Sequence, residues 1–183
     1  KTFACGEIIR YLARKGRRVC GAKLTGVSLL RDTMSMVDRG AVRSLSFNDA
    51  GVVSTTGRVS VPVAKGLINA LNREEPDVLV IELGDGILGE YGVQEILHDD
   101  ELMGAASAHV LAANDPVSAW GGVELFRHRF KREASLICGP ATDNAVGKEF
   151  IETQIGVRAI NARIEYEKLG EFVETKVFGG VEA

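Results

Sequence analysis

The chain has 183 residues, of which 45% are hydrophobic, so it can bury a core and is not an intrinsically disordered segment. Its 22 Lys and Arg against 25 Asp and Glu give a formal net charge of -3, which supplies no overall basic field for nucleic acid. No apolar run approaches the roughly 18 residues of a membrane span. We therefore expect a cytoplasmic protein with one domain over residues 1–183, and neither a nucleic-acid nor a membrane partner.

Cysteine and histidine spacing gives no sign of a structural metal site. The three cysteines, Cys5, Cys20 and Cys138, are odd in number, far apart and set among apolar residues. This pattern predicts reduced and mostly buried thiols. The three histidines lack the paired spacing of zinc ligands.

Hydrophobic periodicity predicts helices and short strands that alternate along the first half of the chain. We expect, in order, a helix over 2–15, a strand over 18–24, a helix over 29–37, a strand over 41–47, a helix over 62–74 that begins at Pro62, and a strand over 77–83. The last strand is apolar on both faces, which is typical of a central parallel strand covered by helices on both sides.

The second half continues the same alternation. The expected elements are a strand over 108–113, a helix that begins at Pro116 after an Asp115 cap, a strand over 134–138, a helix capped near Thr142 or Asp143 and ended by Gly156, and a strand over 157–161. The residues after Arg163 are ambiguous. The buried stripe of the Pro116 helix is predicted to be Ala119, Val123, Phe126 and Phe130, and Trp120 is expected in the core. The whole pattern predicts an α/β domain with a mainly parallel sheet.

Polar residues follow most of the predicted strands, usually beside a glycine. In parallel sheets, ligands bind beyond the carboxyl ends of the strands. The candidate site residues at these ends are Lys23, Thr25, Asn48, Asp49, Glu82, Asp85, Asn114, Asp115, Thr142, Asp143 and Asn144. Structural alternatives stay open, because Asp and Asn also cap helices and shape turns. Glu82 and Lys23 could likewise form a purely structural pair.

The first two residues offer a motif with chemical meaning. Lys1-Thr2 before an amphipathic helix matches the end of a P-loop, G-x-x-x-x-G-K-[ST], in which helix amides and the lysine bind phosphate and the hydroxyl binds Mg²⁺. The alternative is an arbitrary boundary. A second P-loop-like stretch over 139–149 lacks the required glycine and has Glu149 in place of the hydroxyl, so we expect Lys148 on a solvent-facing helix instead.

Three segments together resemble the dethiobiotin synthetase-like (SIMIBI) branch of the P-loop NTPases, and uncharacterised members most closely. They are Lys1-Thr2 with its helix, the strand end over 22–26 (AKLTG) with Arg31-Asp32, and the strand end over 80–86 (VIELGDG). The chain departs from the branch at Ala22, where a proline is usual, and at Leu83, which interrupts a Glu-Gly run. The resemblance implies a three-layer domain with helices on both faces of its sheet, here beginning inside the P-loop and without its first strand and glycine loop.

The resemblance also implies roles for individual residues. Lys1 would contact the β- and γ-phosphates, and Thr2 would bind both the nucleotide and Mg²⁺. Glu82 and Asp32 would be further Mg²⁺ ligands, and Lys23 would stabilise the transferring phosphoryl group or hold an acidic substrate. Thr25, Asn114 and Asp143 are the remaining candidates for nucleotide contacts.

The function expected from the resemblance is Mg²⁺-dependent hydrolysis or phosphoryl transfer from ATP or GTP, coupled to a reaction on a small acidic molecule. ATP is slightly preferred, because the guanine motif [NT]-K-x-D is absent from the sequence. The alternative is a nucleotide-dependent adaptor that acts on a protein partner, similar to the guanine-nucleotide-binding adaptors of molybdenum-cofactor biosynthesis. The branch also implies a homodimer.

Overall fold

The computed structural model describes residues 1–179. The chain separates into two compact units. The N-terminal unit comprises Thr2 and Ala4–Ala105, and the C-terminal unit comprises Lys1, Phe3 and, within the described chain, residues 106–179. Both units are α/β with parallel strands, as the alternation of helix and strand patterns predicts.

The N-terminal unit carries a three-stranded parallel sheet in the order β2-β1-β3. Its elements are α1 (Thr2–Arg14), β1 (Val19–Thr25), α2 (Leu30–Asp38), β2 (Arg43–Ser46), a 3₁₀ turn (Phe47–Ala50), α3 (Gly57–Asn72), β3 (Val78–Leu83), α4 (Val93–His98) and α5 (Asp100–Gly104). The helix α3 packs against β1. Leu24, Phe47 and Leu71 are among the fully buried side chains of its core.

The central strand of this sheet is β1, and the expectation that the 77–83 strand would be central is wrong for the described residues. All seven residues of β1 are buried, whereas β3 buries only Val80 and Glu82. The apolar run in β3 is explained by partial burial of its other residues, several of which pack at the margin of the core. An apolar sequence therefore indicates burial without fixing the position of the strand in the sheet.

The start of α3 also differs from the prediction. The helix begins at Gly57, and Pro62 lies inside it. The amides of Val59 and Ser60 already bond to the Thr56 carbonyl oxygen, so the first turn forms well before the proline. A proline commonly marks a first turn, but here the helix accommodates it one turn later. The buried face of the helix includes Ala64, Leu67 and Leu71, which recur at helical spacing.

The C-terminal unit pairs two parallel strands, β4 with β5. Its elements are β4 (Val110–Ala112), α6 (Pro116–Glu124), a π-helical turn (Leu125–Arg129), β5 (Leu136–Cys138), a 3₁₀ turn (Pro140–Thr142), α7 (Ala145–Phe150), a second π-helical turn (Ile151–Ile155) and α8 (Tyr166–Phe178). The predicted buried stripe is confirmed: Ala119 and Val123 in α6, Phe126 in the π-helical turn and Phe130 directly after it are all buried. Cys20 and Cys138 are free and buried, as expected of reduced thiols.

Three expectations for the C-terminal unit are wrong. Trp120 is 56% exposed, because it follows Ala119 and so leaves the buried stripe. The strand expected over 157–161 is reduced to a single bridge between Ile137 and Ala159. Lys148 lies in α7 as expected, but it does not face solvent freely, since its side chain is 28% exposed and its ammonium lies 2.6 Å from a Glu165 carboxylate oxygen. No helix among residues 1–179 combines the length and apolar character needed to cross a bilayer.

Glu165 holds the segment before α8 in place. Its carboxylate accepts hydrogen bonds from the ammonium groups of Lys148 and Lys168 and from the backbone N–H of Asn161. The hydrogen bond from Lys148 is the largest influence, and burial only partly opposes it, so the pKa of Glu165 falls from 4.5 to about 2. A carboxyl with a lower pKa in the folded state stabilises that state above its unfolded pKa and loses this contribution as the pH falls.

We predict that Glu165→Gln lowers the free energy of unfolding by about 1–3 kcal/mol at pH 7. The deficit should shrink as the pH falls from 4.5 towards 2, the window set by the two pKa values. Urea unfolding measured across this range tests the prediction. The exposed neighbour Glu167 provides the control, because Glu167→Gln should change stability by less than about 0.5 kcal/mol. A deficit of constant size at every pH would contradict this role of Glu165.

Candidate functional site

A buried carboxylate lies at the carboxyl end of β3. Glu82 is 4% exposed, and its Oε1 accepts a 2.9 Å hydrogen bond from the Thr2 hydroxyl. Its other oxygen, Oε2, is buried and has no hydrogen-bond partner among the described residues. Burying a carboxylate oxygen without a partner is costly. This unsatisfied acceptor, beside the first residue of α1, is the strongest chemical signal in the N-terminal unit.

A lysine lies next to this carboxylate in the sheet. Lys23 on β1 is the register partner of Glu82 on β3, and paired residues of adjacent strands project to the same face about 5 Å apart. Lys23 is itself buried, at 8% exposure. Its Nζ lies 2.8 Å from Oδ2 of Asp32, near the start of α2. The sheet therefore brings two strand-end residues of opposite charge together, and α2 supplies a second carboxylate.

Asp32 is occupied in two structural roles. Its Oδ2 accepts the bond from Lys23 and a 3.0 Å hydrogen bond from the Leu29 amide. Burial by itself raises the pKa of the Asp32 carboxyl, but the Leu29 amide and the Lys23 ammonium together hold that pKa below its ordinary value. Asp32 would have to release these partners to ligate a metal. Its predicted role as a Mg²⁺ ligand stays a prediction.

The glycine turn after β3 packs against the end of β1. The Thr25 hydroxyl, fully buried, donates to the Gly84 carbonyl oxygen at 3.1 Å. A Cβ on Gly84 would collide with the Thr25 carbonyl oxygen and would lie 3.2 Å from Cε of Lys23. Only glycine allows this approach, because it has no Cβ. The Thr25 hydroxyl is thus used to hold the turn, and its expected nucleotide contact stays a prediction.

The loop before α3 is hydrogen-bonded to the residue that follows β1 and to the chain before α4. The Gly26 amide donates to Oγ1 of Thr55 at 2.9 Å, and this hydroxyl donates to the Tyr91 carbonyl oxygen at 2.7 Å. Asp85, between two glycines, has a φ of 76°, a left-handed conformation that non-glycine residues seldom adopt. Sequence reasoning did not single out Thr55 or Tyr91. Neither stands beside a motif that would have revealed it.

The other residues expected to contact a nucleotide lie in the C-terminal unit. Lys1 is exposed. Asn114 is exposed, and its backbone N–H donates a hydrogen bond to the Ser118 hydroxyl oxygen. Asp143 accepts a 2.8 Å hydrogen bond from the side chain of Asn161, a buried residue that sequence reasoning placed only at the end of a strand. The predicted contacts of Lys1, Asn114 and Asp143 with a nucleotide stay predictions.

Several strand-end residues have the structural roles that were open at the sequence level. Asp115 caps α6 by accepting from the Ser118 amide, and Asn144 caps α7 by accepting from the Gly147 amide. The cap of α7 is therefore one residue beyond Asp143. Asp49 accepts from the Ser46 amide and shapes the turn after β2.

The donor set at Glu82 suits one kind of metal site. Residues 1–179 contain no group of three or more His, Cys, Asp or Glu side chains that could hold a metal ion. Mg²⁺ is commonly held by only one or two protein oxygens, with water and substrate phosphates completing its shell. The Thr2 hydroxyl and the unpartnered Oε2 of Glu82 fit such a shared site.

Comparisons with known proteins assign no family to the chain. No protein-family model matches it, and no curated protein matches it.

We predict that Gly84→Ala destabilises the protein by about 1–3 kcal/mol, the usual range for overpacking. The added methyl group would force the Thr25 carbonyl oxygen away from the turn. Thermal unfolding followed by circular dichroism measures the change. The control is Gly66→Ala, in α3 with open space around the added methyl, which should stabilise the protein by about 0.5–1 kcal/mol. Equal stability of the Gly84 variant and the wild type would contradict the close approach.

Proposed function

We propose that this chain is the nucleotide-binding domain of a Mg²⁺-dependent P-loop NTPase. It would couple hydrolysis of, or phosphoryl transfer from, ATP or GTP to a reaction on a small acidic molecule, with ATP slightly preferred. The domain would be of the three-layer P-loop type, with helices on both faces of its sheet. The observation that carries the proposal is the hydrogen bond from Thr2 to Glu82, with the second Glu82 oxygen buried and unpartnered.

The first support is the position of this pair. Thr2 is the first residue of α1, where unpaired backbone amides favour an anion. The hydroxyl and carboxylate beside that helix end are hard oxygen donors, which Mg²⁺ prefers. When bound, Mg²⁺ would neutralise charge on the phosphates, as phosphoryl transfer requires. Thr2 and Glu82 would hold the cation, and Lys1, next to Thr2 in the chain, would contact phosphate oxygens.

Lys23 supports the catalytic part of the proposal. Its ammonium is buried, and Asp32 holds it beside the register position of Glu82. A positioned cation at low exposure stabilises negative charge more strongly than a solvated one does. Lys23 would bind the transferring phosphoryl group or the carboxylate of an acidic substrate. We assign Asp32 to positioning Lys23, because its carboxylate is already bonded to Lys23 and to the Leu29 amide.

The full natural protein provides the test. We predict that Glu82→Gln and Lys23→Ala each reduce Mg²⁺-dependent NTP turnover about 100-fold or more, the loss typical of removing one preorganised charge. Turnover would be measured as phosphate release from ATP and from GTP, with circular dichroism to confirm folding. The control is Lys65→Ala, because Lys65 pairs with Asp99 and Glu101 and belongs to no part of the site.

Conservative variants provide a second test if Glu82→Gln or Lys23→Ala unfolds the protein. Glu82→Asp and Lys23→Arg retain the charges and should lose turnover through misplacement, while their folding is preserved. Wild-type turnover in all four variants would contradict the assigned roles. Turnover that appears only after a protein partner is added would contradict the small-molecule substrate and favour the adaptor.

A further inference from the structure

The helix α2 exposes a stripe of apolar side chains. Leu30, Met34 and Val37 are 78%, 49% and 42% exposed, and their spacing places them on one face of the helix. The opposite face is directed inward, where Met36 is 1% exposed. A stripe of this kind would normally be buried against another element. Here the described residues leave it uncovered.

The loop before α2 and a second loop bridged to it also expose apolar side chains. Leu29 precedes α2 and is 52% exposed, while Val27 and Val53 are 59% and 85% exposed. An antiparallel bridge between Val27 and Ser54 brings the two loops together. Single exposed apolar side chains need no explanation, but a concentration of them in one region indicates an interaction surface.

The charges beside the stripe identify the kind of partner. Arg31 and Asp38 are both exposed, and seven residues of separation put them on the same flank of α2. Neither forms an ion pair within the described part of the chain. One positive and one negative charge leave this flank with no net charge. An anionic lipid surface or a nucleic acid would instead require an excess of basic residues.

We propose that α2 packs antiparallel against α2 of a second copy of this chain. A two-fold axis near Met34 brings the apolar stripes of the two helices together. The same operation places Arg31 of each copy level with Asp38 of the other, so the flank is complementary to itself, as a two-fold interface requires. The proposal rests on exposure and charge alone and is independent of the proposed nucleotide chemistry.

Sedimentation velocity of the full natural protein over a concentration series tests the interface. The wild type should form a dimer, and Met34→Glu should raise the dimer Kd at least about tenfold by placing two carboxylates beside the two-fold axis. The control is Leu88→Glu, which alters an exposed apolar side chain (63%) outside the surface and should leave the Kd unchanged. A monomeric wild type, or a dimer unaffected by Met34→Glu, would overturn the proposal.

A charge exchange tests the antiparallel arrangement separately. Arg31→Asp should weaken the dimer by opposing two acids, and Asp38→Arg should weaken it by opposing two bases. The double variant restores opposite charges across the interface and should recover most of the wild-type Kd. Circular dichroism would confirm that each variant is folded. Additive weakening in the double variant would overturn the pairing of Arg31 with Asp38.

Discussion

The buried carboxylate of Glu82 is the constraint on which the N-terminal unit depends. A carboxyl group with 4% exposure is costly unless nearby groups satisfy its oxygens. The described residues provide one direct bond, from the first hydroxyl of α1. Two further features lie beside Glu82. Lys23 on β1 is its register partner, and Gly84 allows the chain after β3 to pass close to Thr25. The second carboxylate oxygen, Oε2, has no hydrogen-bond partner among the described residues, and the proposed Mg²⁺ site rests on this acceptor.

The ion pair between Lys23 and Asp32 links that site to α2, a helix on the surface of the unit. Asp32 lies near the start of α2 and bonds the Leu29 amide, so the ion pair also fixes where α2 begins. The helix therefore has one face tied to the strand ends and another that presents Leu30 and Met34 to solvent. A partner bound to the outer face would contact α2, the helix that carries Asp32, the residue that positions Lys23. The same short helix links the proposed chemistry to the proposed interface.

The sequence predicts well where a pattern has one physical cause. The helix α1 and the strands β1 and β3 lie within a residue or two of the expected positions, because amphipathic and apolar periods directly reflect burial. The expectation that Trp120 is buried is wrong because adjacent helix residues point in directions about 100° apart. Trp120 therefore lies outside the stripe that contains Ala119, and its apolar character alone does not reveal this. Pro62 was misleading because a proline that usually starts a helix can also lie within one.

The candidate site likewise contains residues that the sequence can predict and contacts that it cannot. Lys23 and Glu82 could be anticipated as polar residues at strand ends, because parallel strands finish at a common edge. The resemblance implies that Thr2 and Glu82 lie near one Mg²⁺, but their direct hydrogen bond, between residues 80 positions apart, is visible only in the folded chain. The buried bond from Thr25 to Gly84 was equally inaccessible, since a threonine after a strand has the same sequence signature whether it faces a ligand or the core.

The most direct test of the central claim is a crystal structure of the full natural protein with Mg²⁺ and a non-hydrolysable ATP analogue. We predict the cation about 2.1 Å from the Thr2 hydroxyl oxygen, with the Glu82 carboxylate bound to it or to one of its waters. A nucleotide bound elsewhere, with the Thr2 hydroxyl still donating to Glu82, would contradict the account.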